Sequence, residues 1–254
     1  MPTDRAGQSI RPSHTSPTAD STGNAGNADS AGHADPSASP ASPAPRFTVG
    51  FDLDMTLIDS RPGIHAVYRA LSAETGVWVD ADLAVTRLGP PLEQELAHWF
   101  PDDQIQAMAD RFRELYPAHA IDPTTALPGA REAITAVQAL GGRAIVVTAK
   151  HEPNARLHLD TLGITPDAVI GWLWAEGKAE ALREYGAYAY VGDHIGDVRG
   201  AHTAQALAVA VATGPCTPAE LREAGADVVL DGLGAFPGWL RADRADTRGR
   251  DGRS

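Results

Sequence analysis

The string Phe51-Asp52-Leu53-Asp54-Met55-Thr56-Leu57-Ile58-Asp59-Ser60 carries two carboxylates spaced i, i+2. On an extended chain, side chains alternate, so Asp52 and Asp54 point to the same side. Two like charges that close repel unless a cation sits between them or one acid holds a proton. An apolar core has no use for such a pair. A site that binds a hard divalent metal and performs nucleophilic or acid–base chemistry does. A second signal is compositional: the chain has nineteen Arg and two Lys, Lys150 and Lys178. A compact, flexible ammonium kept at two places marks sites where a forked guanidinium does not fit.

The elements that must hold these residues read clearly. Residues 47–51 are short, β-branched and aromatic, a buried strand that runs straight into Asp52. Residues 62–76, 92–100 and 103–116 read as helices, with apolar positions such as Ile105, Met108, Ala109, Phe112 and Leu115 at helical spacing. From Leu127 onward helix and strand alternate. Strands are predicted at 143–148, 168–170, 187–193, 207–211 and 227–230. Helices are predicted at 128–140, 154–162, 178–185, 196–204 and 218–224. Alternation of this kind predicts an α/β fold, a doubly wound parallel sheet covered by helices on both faces, with a helical block inserted after the first strand. Ligands of such sheets bind beyond the carboxyl ends of the strands. Asp52 and Asp54 end the first predicted strand, Thr148 the next, and Asp193 the strand from Ala187, with Asp197 one helical turn later. Oxygen-bearing residues at three strand ends on one sheet edge predict a site.

Together these residues resemble the haloacid dehalogenase superfamily, whose four short motifs stand in order across residues 47–231. They are Asp52-x-Asp54-x-Thr56, Thr148 after an apolar strand, Lys178 opening a helix after Gly177, and Gly192-Asp193-x-x-x-Asp197. The resemblance implies a Rossmann-like core and an aspartyl-phosphate reaction. Asp52 would attack phosphorus; Asp54 would protonate the leaving oxygen and then take a proton from water. The presence of Asp54 argues against the dehalogenase branch. Mg²⁺ would be held by Asp52, the backbone carbonyl of Asp54 and Asp193, with Asp197 ligating through water or orienting the others. Thr148 and the backbone N–H of Ala149 would bind phosphoryl oxygens, Lys178 would neutralise charge, and Thr56 and Lys150 are further residues assigned to the substrate. The helical insertion resembles the cap of the phosphoglycolate phosphatase and β-phosphoglucomutase branch. Its Arg87-Leu88-Gly89-Pro90-Pro91 would be the substrate-facing loop, with Arg87 either meeting a second anionic group or solvated beyond a helix end at Gly89. The implied activity is Mg²⁺-dependent hydrolysis of a small phosphorylated metabolite of the phosphoglycolate or sugar-phosphate type. A phosphoglucomutase-like phosphotransfer and a non-catalytic, phosphate-binding regulatory role are the alternatives.

Several residues depart from the family pattern. Met55 stands where Gly is usual and would narrow the site unless its side chain turns away. Ala149 replaces a common polar residue, and His194 replaces a common small one, read as loop-bonded or solvent-facing. Trp172 and Trp174 read as packing residues that could also line an entrance. Capping of the helix after residue 193 is the plain structural alternative for Asp193 and Asp197.

Composition sets the outer limits. Residues 1–45, whose only large apolar side chains are Met1 and Ile10, read as a disordered tail. Residues 241–254, with five Arg and three Asp, read as a second disordered tail. The expected organisation is therefore a catalytic core of residues 46–61 and 118–240 around a helical cap of residues 62–117. The formal charge of −12 falls on the folded part, which argues against nucleic acid and anionic membrane surfaces as partners. No apolar stretch approaches the ~20 residues that span a bilayer. The lone Cys216 excludes an intrachain disulfide, fits a reducing cytoplasm, and sits in a Gly-Pro-Cys-Thr-Pro loop with no evident base.

Overall fold

The computed structural model describes residues 46–251. Its centre is a six-stranded, wholly parallel sheet. In chain order the elements begin with β1 (Thr48–Phe51), a short β2 (Ile58–Asp59) and four helices, α1 (Arg61–Thr75), α2 (Ala81–Ala84), α3 (Leu92–Leu96) and α4 (Ile105–His119). Then come β3 (Thr125–Ala126), α5 (Ala130–Ala139), β4 (Arg143–Val147), α6 (Glu152–Thr161), β5 (Ala168–Ile170) and α7 (Lys178–Glu184). The chain closes with β6 (Ala187–Gly192), α8 (Ile195–Thr203), β7 (Leu207–Val211), α9 (Pro218–Glu223), β8 (Val228–Leu230) and α10 (Phe236–Asp251). The sheet order is β5-β4-β1-β6-β7-β8, which puts β1 at the centre with its carboxyl end between those of β4 and β6.

Alternation along the strands builds the two cores. Val49, Phe51, Ala144, Val146, Ala189, Val191, Val209 and Val211 face one side, where they meet α5, α6 and the start of α10. Ile145, Val147, Tyr190, Ala208 and Ala210 face the other, against Leu182 of α7, Val198 of α8 and Leu221 of α9. Gly50 lies on that second face because a Cβ there would come 2.7 Å from Leu182 and 2.8 Å from Tyr190. The small residue lets Tyr190 cross beneath the centre of the sheet, and its hydroxyl reaches the site below.

The chain leaves the sheet layer and returns to it through an antiparallel ribbon, Ile58 opposite Ala126 and Asp59 opposite Thr125. Everything between is helical and has its own apolar cluster, including Val67, Tyr68, Leu71, Leu96, Phe100 and Phe112, as α1 packs on α4. The Gly76 backbone takes a left-handed φ of 70° and closes α1 by donating to Ser72 O.

One expectation is corrected. The C-terminal segment read as disordered from residue 241 is instead helical as far as Asp251. Leu240 is fully buried in the first core, and the Arg244 guanidinium lies 4.6 Å from the Phe47 ring and 4.8 Å from the Tyr188 ring. An Arg-rich stretch with no large apolar residue looks solvated in sequence, yet a guanidinium face can anchor a helix on aromatics. The N-terminal tail, residues 1–45, lies outside the described residues.

Candidate active site

Phe51 is the last residue of β1, and the Asp52 N–H donates to Val191 O at 2.8 Å, tying the strand end to β6. The chain then turns tightly: Leu57 and Ile58 N–H groups both donate to Leu53 O, and the Met55 N–H to Ile58 O. Met55 has φ 59°, a left-handed conformation that costs a side-chain-bearing residue roughly 1–2 kcal/mol and explains why a glycine would suit the position. Its side chain is buried and is not part of the cavity wall, so it does not narrow the site. Thr213 Oγ1 donates to Met55 O at 2.5 Å and holds the turn from β7's side.

Lys178, the first residue of α7, is 1% exposed, and its Nζ donates to Asp52 Oδ1 at 2.8 Å, Asp197 Oδ1 at 2.7 Å and Tyr190 Oη at 2.8 Å. Three donors meet three acceptors. Burial alone would pull this ammonium's pKa down, but Asp197 and Asp52 outweigh it and hold the group charged. The Tyr190 hydroxyl itself donates to Val147 O at 2.6 Å. The other oxygen of Asp197 accepts from the His194 N–H at 3.1 Å, and His194 Nδ1 accepts from the Gly196 N–H at 2.9 Å, so His194 caps α8. Gly192 makes this possible, because a Cβ there would sit 2.3 Å from Asp197 Oδ2. Asp193 Oδ1 accepts from Thr56 Oγ1 at 2.9 Å.

Asp52, Asp193 and Asp197 thus form one buried cluster in which a ligand oxygen from each lies within 4.8 Å of the others. Burial, then Asp197 and Asp54, push the Asp52 carboxyl up to about 7, although Lys178 pulls against them. Burial, then Asp197 and Asp52, raise Asp193 well above the carboxylate range. Three carboxylates around a single ammonium leave a buried excess of negative charge, and the donor set is oxygen only. That chemistry fits a hard divalent cation such as Mg²⁺.

Asp54 faces a different partner. Its Oδ1 is 3.0 Å from Lys150 Nζ, which also donates to Tyr116 Oη at 2.7 Å on α4. Tyr116 Oη in turn meets His158 Nε2 at 2.9 Å on α6. Asp54 and Asp52 therefore stand in separate ion pairs, and both line a cavity of about 390 Å³ between the carboxyl edge of the sheet and the helical layer. Thr148, 1% exposed, and Ala149 line this cavity at the end of β4.

The structure brings together Asp52, Lys178, Asp193 and Asp197, and it places Asp52, Asp54, Thr148, Lys150 and Lys178 on the wall of one cavity. Two residues assigned to the substrate are engaged with other groups of the protein. Thr56 is fully buried, off the cavity wall, with its hydroxyl donated to Asp193 Oδ1. Arg87 reaches the cavity wall, but its guanidinium is committed to Glu95, Nε at 3.1 Å and Nη2 at 2.5 Å. Trp172 and Trp174 do line the cavity, Trp174 against His194 with ring centroids 5.1 Å apart. Cys216 has its thiol pKa raised by burial and lies outside the cavity wall, as a bystander would.

Sequence reading missed Tyr190, Tyr116 and Arg113. Tyr190 alone offered a signal: a tyrosine inside an apolar strand must find a partner for its hydroxyl. Tyr190→Phe should cost about 1–3 kcal/mol in urea unfolding, because it leaves the Val147 carbonyl and one Lys178 proton unpartnered.

Comparison with known proteins bears on this arrangement. Residues 49–211 match the family of haloacid dehalogenase-like hydrolases. A phosphoglycolate phosphatase from Caulobacter vibrioides is 27% identical over 212 residues, covering 72% of this chain and 86% of that protein. Another from Chromobacterium violaceum is 28% identical over 208 residues, covering 73% and 92%. The fold matches the solved structure of a haloacid dehalogenase-like hydrolase from Streptococcus pneumoniae with a TM-score of 0.68 at 23% identity, over 76% of this chain and 98% of that one.

Proposed function

The chain belongs to the haloacid dehalogenase-like hydrolase family and is a hydrolase, and from that premise we propose a Mg²⁺-dependent phosphatase that works through an aspartyl-phosphate. Its substrate is a small phosphorylated metabolite of the phosphoglycolate or sugar-phosphate type. The observation that carries this reading is Lys178 bridging Asp52 and Asp197 inside a buried three-carboxylate cluster at the carboxyl edge of the sheet.

Asp52 attacks phosphorus as the bond to the leaving oxygen breaks, and Asp54 supplies the proton that oxygen needs. In the second step water attacks the aspartyl-phosphate, the bond from phosphorus to Asp52 breaks, and Asp54 accepts the water's proton. Lys150, 3.0 Å away, holds the Asp54 carboxyl in place at the cavity wall. The Thr148 hydroxyl and the Ala149 N–H donate to phosphoryl oxygens, and Lys178 offsets the charge on the Asp52 side. Asp52, Asp193, Asp197 and the backbone carbonyl of Asp54 would hold Mg²⁺, which supplies further charge stabilisation to the phosphoryl group.

The acidic body and its −12 charge support a small-molecule partner over nucleic acid. Among the described residues no helix is long and apolar enough to cross a membrane, and the lone cysteine supports a cytoplasmic setting. The test is phosphate release from p-nitrophenyl phosphate. Release that requires Mg²⁺ and stops with chelator is expected; release indifferent to metal would overturn the proposal.

A further inference from the structure

Resting on the phosphatase reading, we infer that the leaving group this site selects is an uncharged, ring-sized alcohol rather than one that carries a carboxylate. The cavity's charges and walls both lead there.

Each Arg and Lys on the cavity wall is matched to a carboxylate of the protein: Lys178 to Asp52 and Asp197, Lys150 to Asp54, Arg87 to Glu95 and Arg113 to Glu93. The two arginines belong to the helical layer, where the leaving group would lie. Neither is free to turn. Glu95 accepts both forks of Arg87 and also the Trp99 indole N–H at 3.2 Å. Arg113 donates to Glu93 and to Asp110, and its guanidinium lies 4.5 Å from the Trp172 ring centre. A substrate carboxylate entering here would have to break a bidentate ion pair and would leave Glu95, which is 13% exposed, without its countercharge.

The walls argue the same way. At about 390 Å³ the cavity lies in the range of about 300–1,000 Å³ typical of clefts for drug-sized ligands, and two-carbon glycolate would fill a small part of it. Its helical side presents Tyr68 and Phe112, and its sheet side Trp172 and Trp174. Trp172 is 53% exposed and held at a left-handed φ of 65°, a conformation that costs energy and still keeps the indole at the cavity mouth. Aromatic side chains in the cavity wall suit a sugar or aromatic ring.

Phosphoglycolate, benzyl phosphate and glucose 6-phosphate all lose a primary alkoxide, so comparing them isolates charge and shape. The expected kcat/KM for the two ring esters exceeds that for phosphoglycolate by at least about tenfold in the wild type. Glu95→Gln and the double variant Glu93→Gln/Asp110→Asn each leave an arginine without its countercharge, and either should raise kcat/KM for phosphoglycolate about tenfold, mainly through KM, with benzyl phosphate changed much less. Two variants guard against one failing to fold. Phosphoglycolate matching or exceeding the ring esters in the wild type overturns the inference and leaves the phosphatase reading standing, as does an equal gain for both ester types in the variants. No release from any of the three esters overturns the phosphatase reading and the inference with it.

Discussion

Asp52→Asn should lower turnover by at least about 10⁴-fold while the far-UV circular dichroism stays that of the wild type. The amide keeps the size of the carboxylate and one acceptor for Lys178 but is no nucleophile towards phosphorus. The same variant reports on the buried charge. Folded Asp52 has its pKa pushed up from 3.8 to about 7 by burial and by Asp197. Below 3.8 both folded and unfolded forms are protonated, so the group is neutral towards stability. Between the two values the folded state holds a proton that the unfolded state has released, so stability falls as pH rises through that window. Asparagine does not titrate. In metal-free protein the stability of the variant relative to wild type should therefore rise by a few kcal/mol from about pH 4 to about pH 7. Urea unfolding at several pH values in the presence of chelator measures it, and a flat difference would contradict the account of the carboxylate cluster.

Lys178→Met is expected to be less damaging to activity than Asp52→Asn and more damaging to the fold. It removes the ammonium from Asp52 and Asp197 and leaves both carboxylates buried without a countercharge. Breaking a buried ion pair from one side costs about 3–5 kcal/mol, and losing a positioned charge beside the phosphoryl group lowers turnover about 10²–10³-fold. Added Mg²⁺ should recover more stability in this variant than in the wild type, since a divalent cation replaces the missing charge. Lys178→Arg should not rescue activity. The three acceptors, at 2.7 to 2.8 Å, surround a compact ammonium, and a planar fork cannot occupy that point. Full activity in Lys178→Arg would show that any cation serves there.

Lys178 was also legible in the sequence. In a chain with nineteen arginines, two retained lysines stand out by composition alone, and both lie in the cavity. The central strands were equally legible, since apolar runs with β-branched and aromatic residues ending in Asp52, Thr148 and Asp193 leave few alternatives for a parallel sheet. What escaped depends on distance or on very short elements. Thr56 and Asp193 are 137 residues apart, and nothing local reveals that one hydroxyl serves the other carboxylate. The ribbon of β2 and β3 has two residues per strand, too few for a period-2 pattern to register. Arg87 was legible as a cavity residue, but its pairing with Glu95 was not, because Glu95 lies beyond a turn, on the short helix α3. The helical end of the chain was hidden because its anchor is the Arg244 guanidinium on Phe47 and Tyr188, and an arginine in sequence looks like a solvated charge.

Membership of a hydrolase family leaves the nucleophile to be shown in this chain, and acid quench during turnover does that most directly. Wild-type protein mixed with benzyl phosphate and Mg²⁺, stopped in acid and digested, should yield the peptide containing Asp52 with one added phosphoryl group. The label should vanish on treatment with hydroxylamine and be absent from Asp52→Asn. Turnover with no label on that peptide, or a label on another residue, would contradict the assignment of Asp52 as nucleophile.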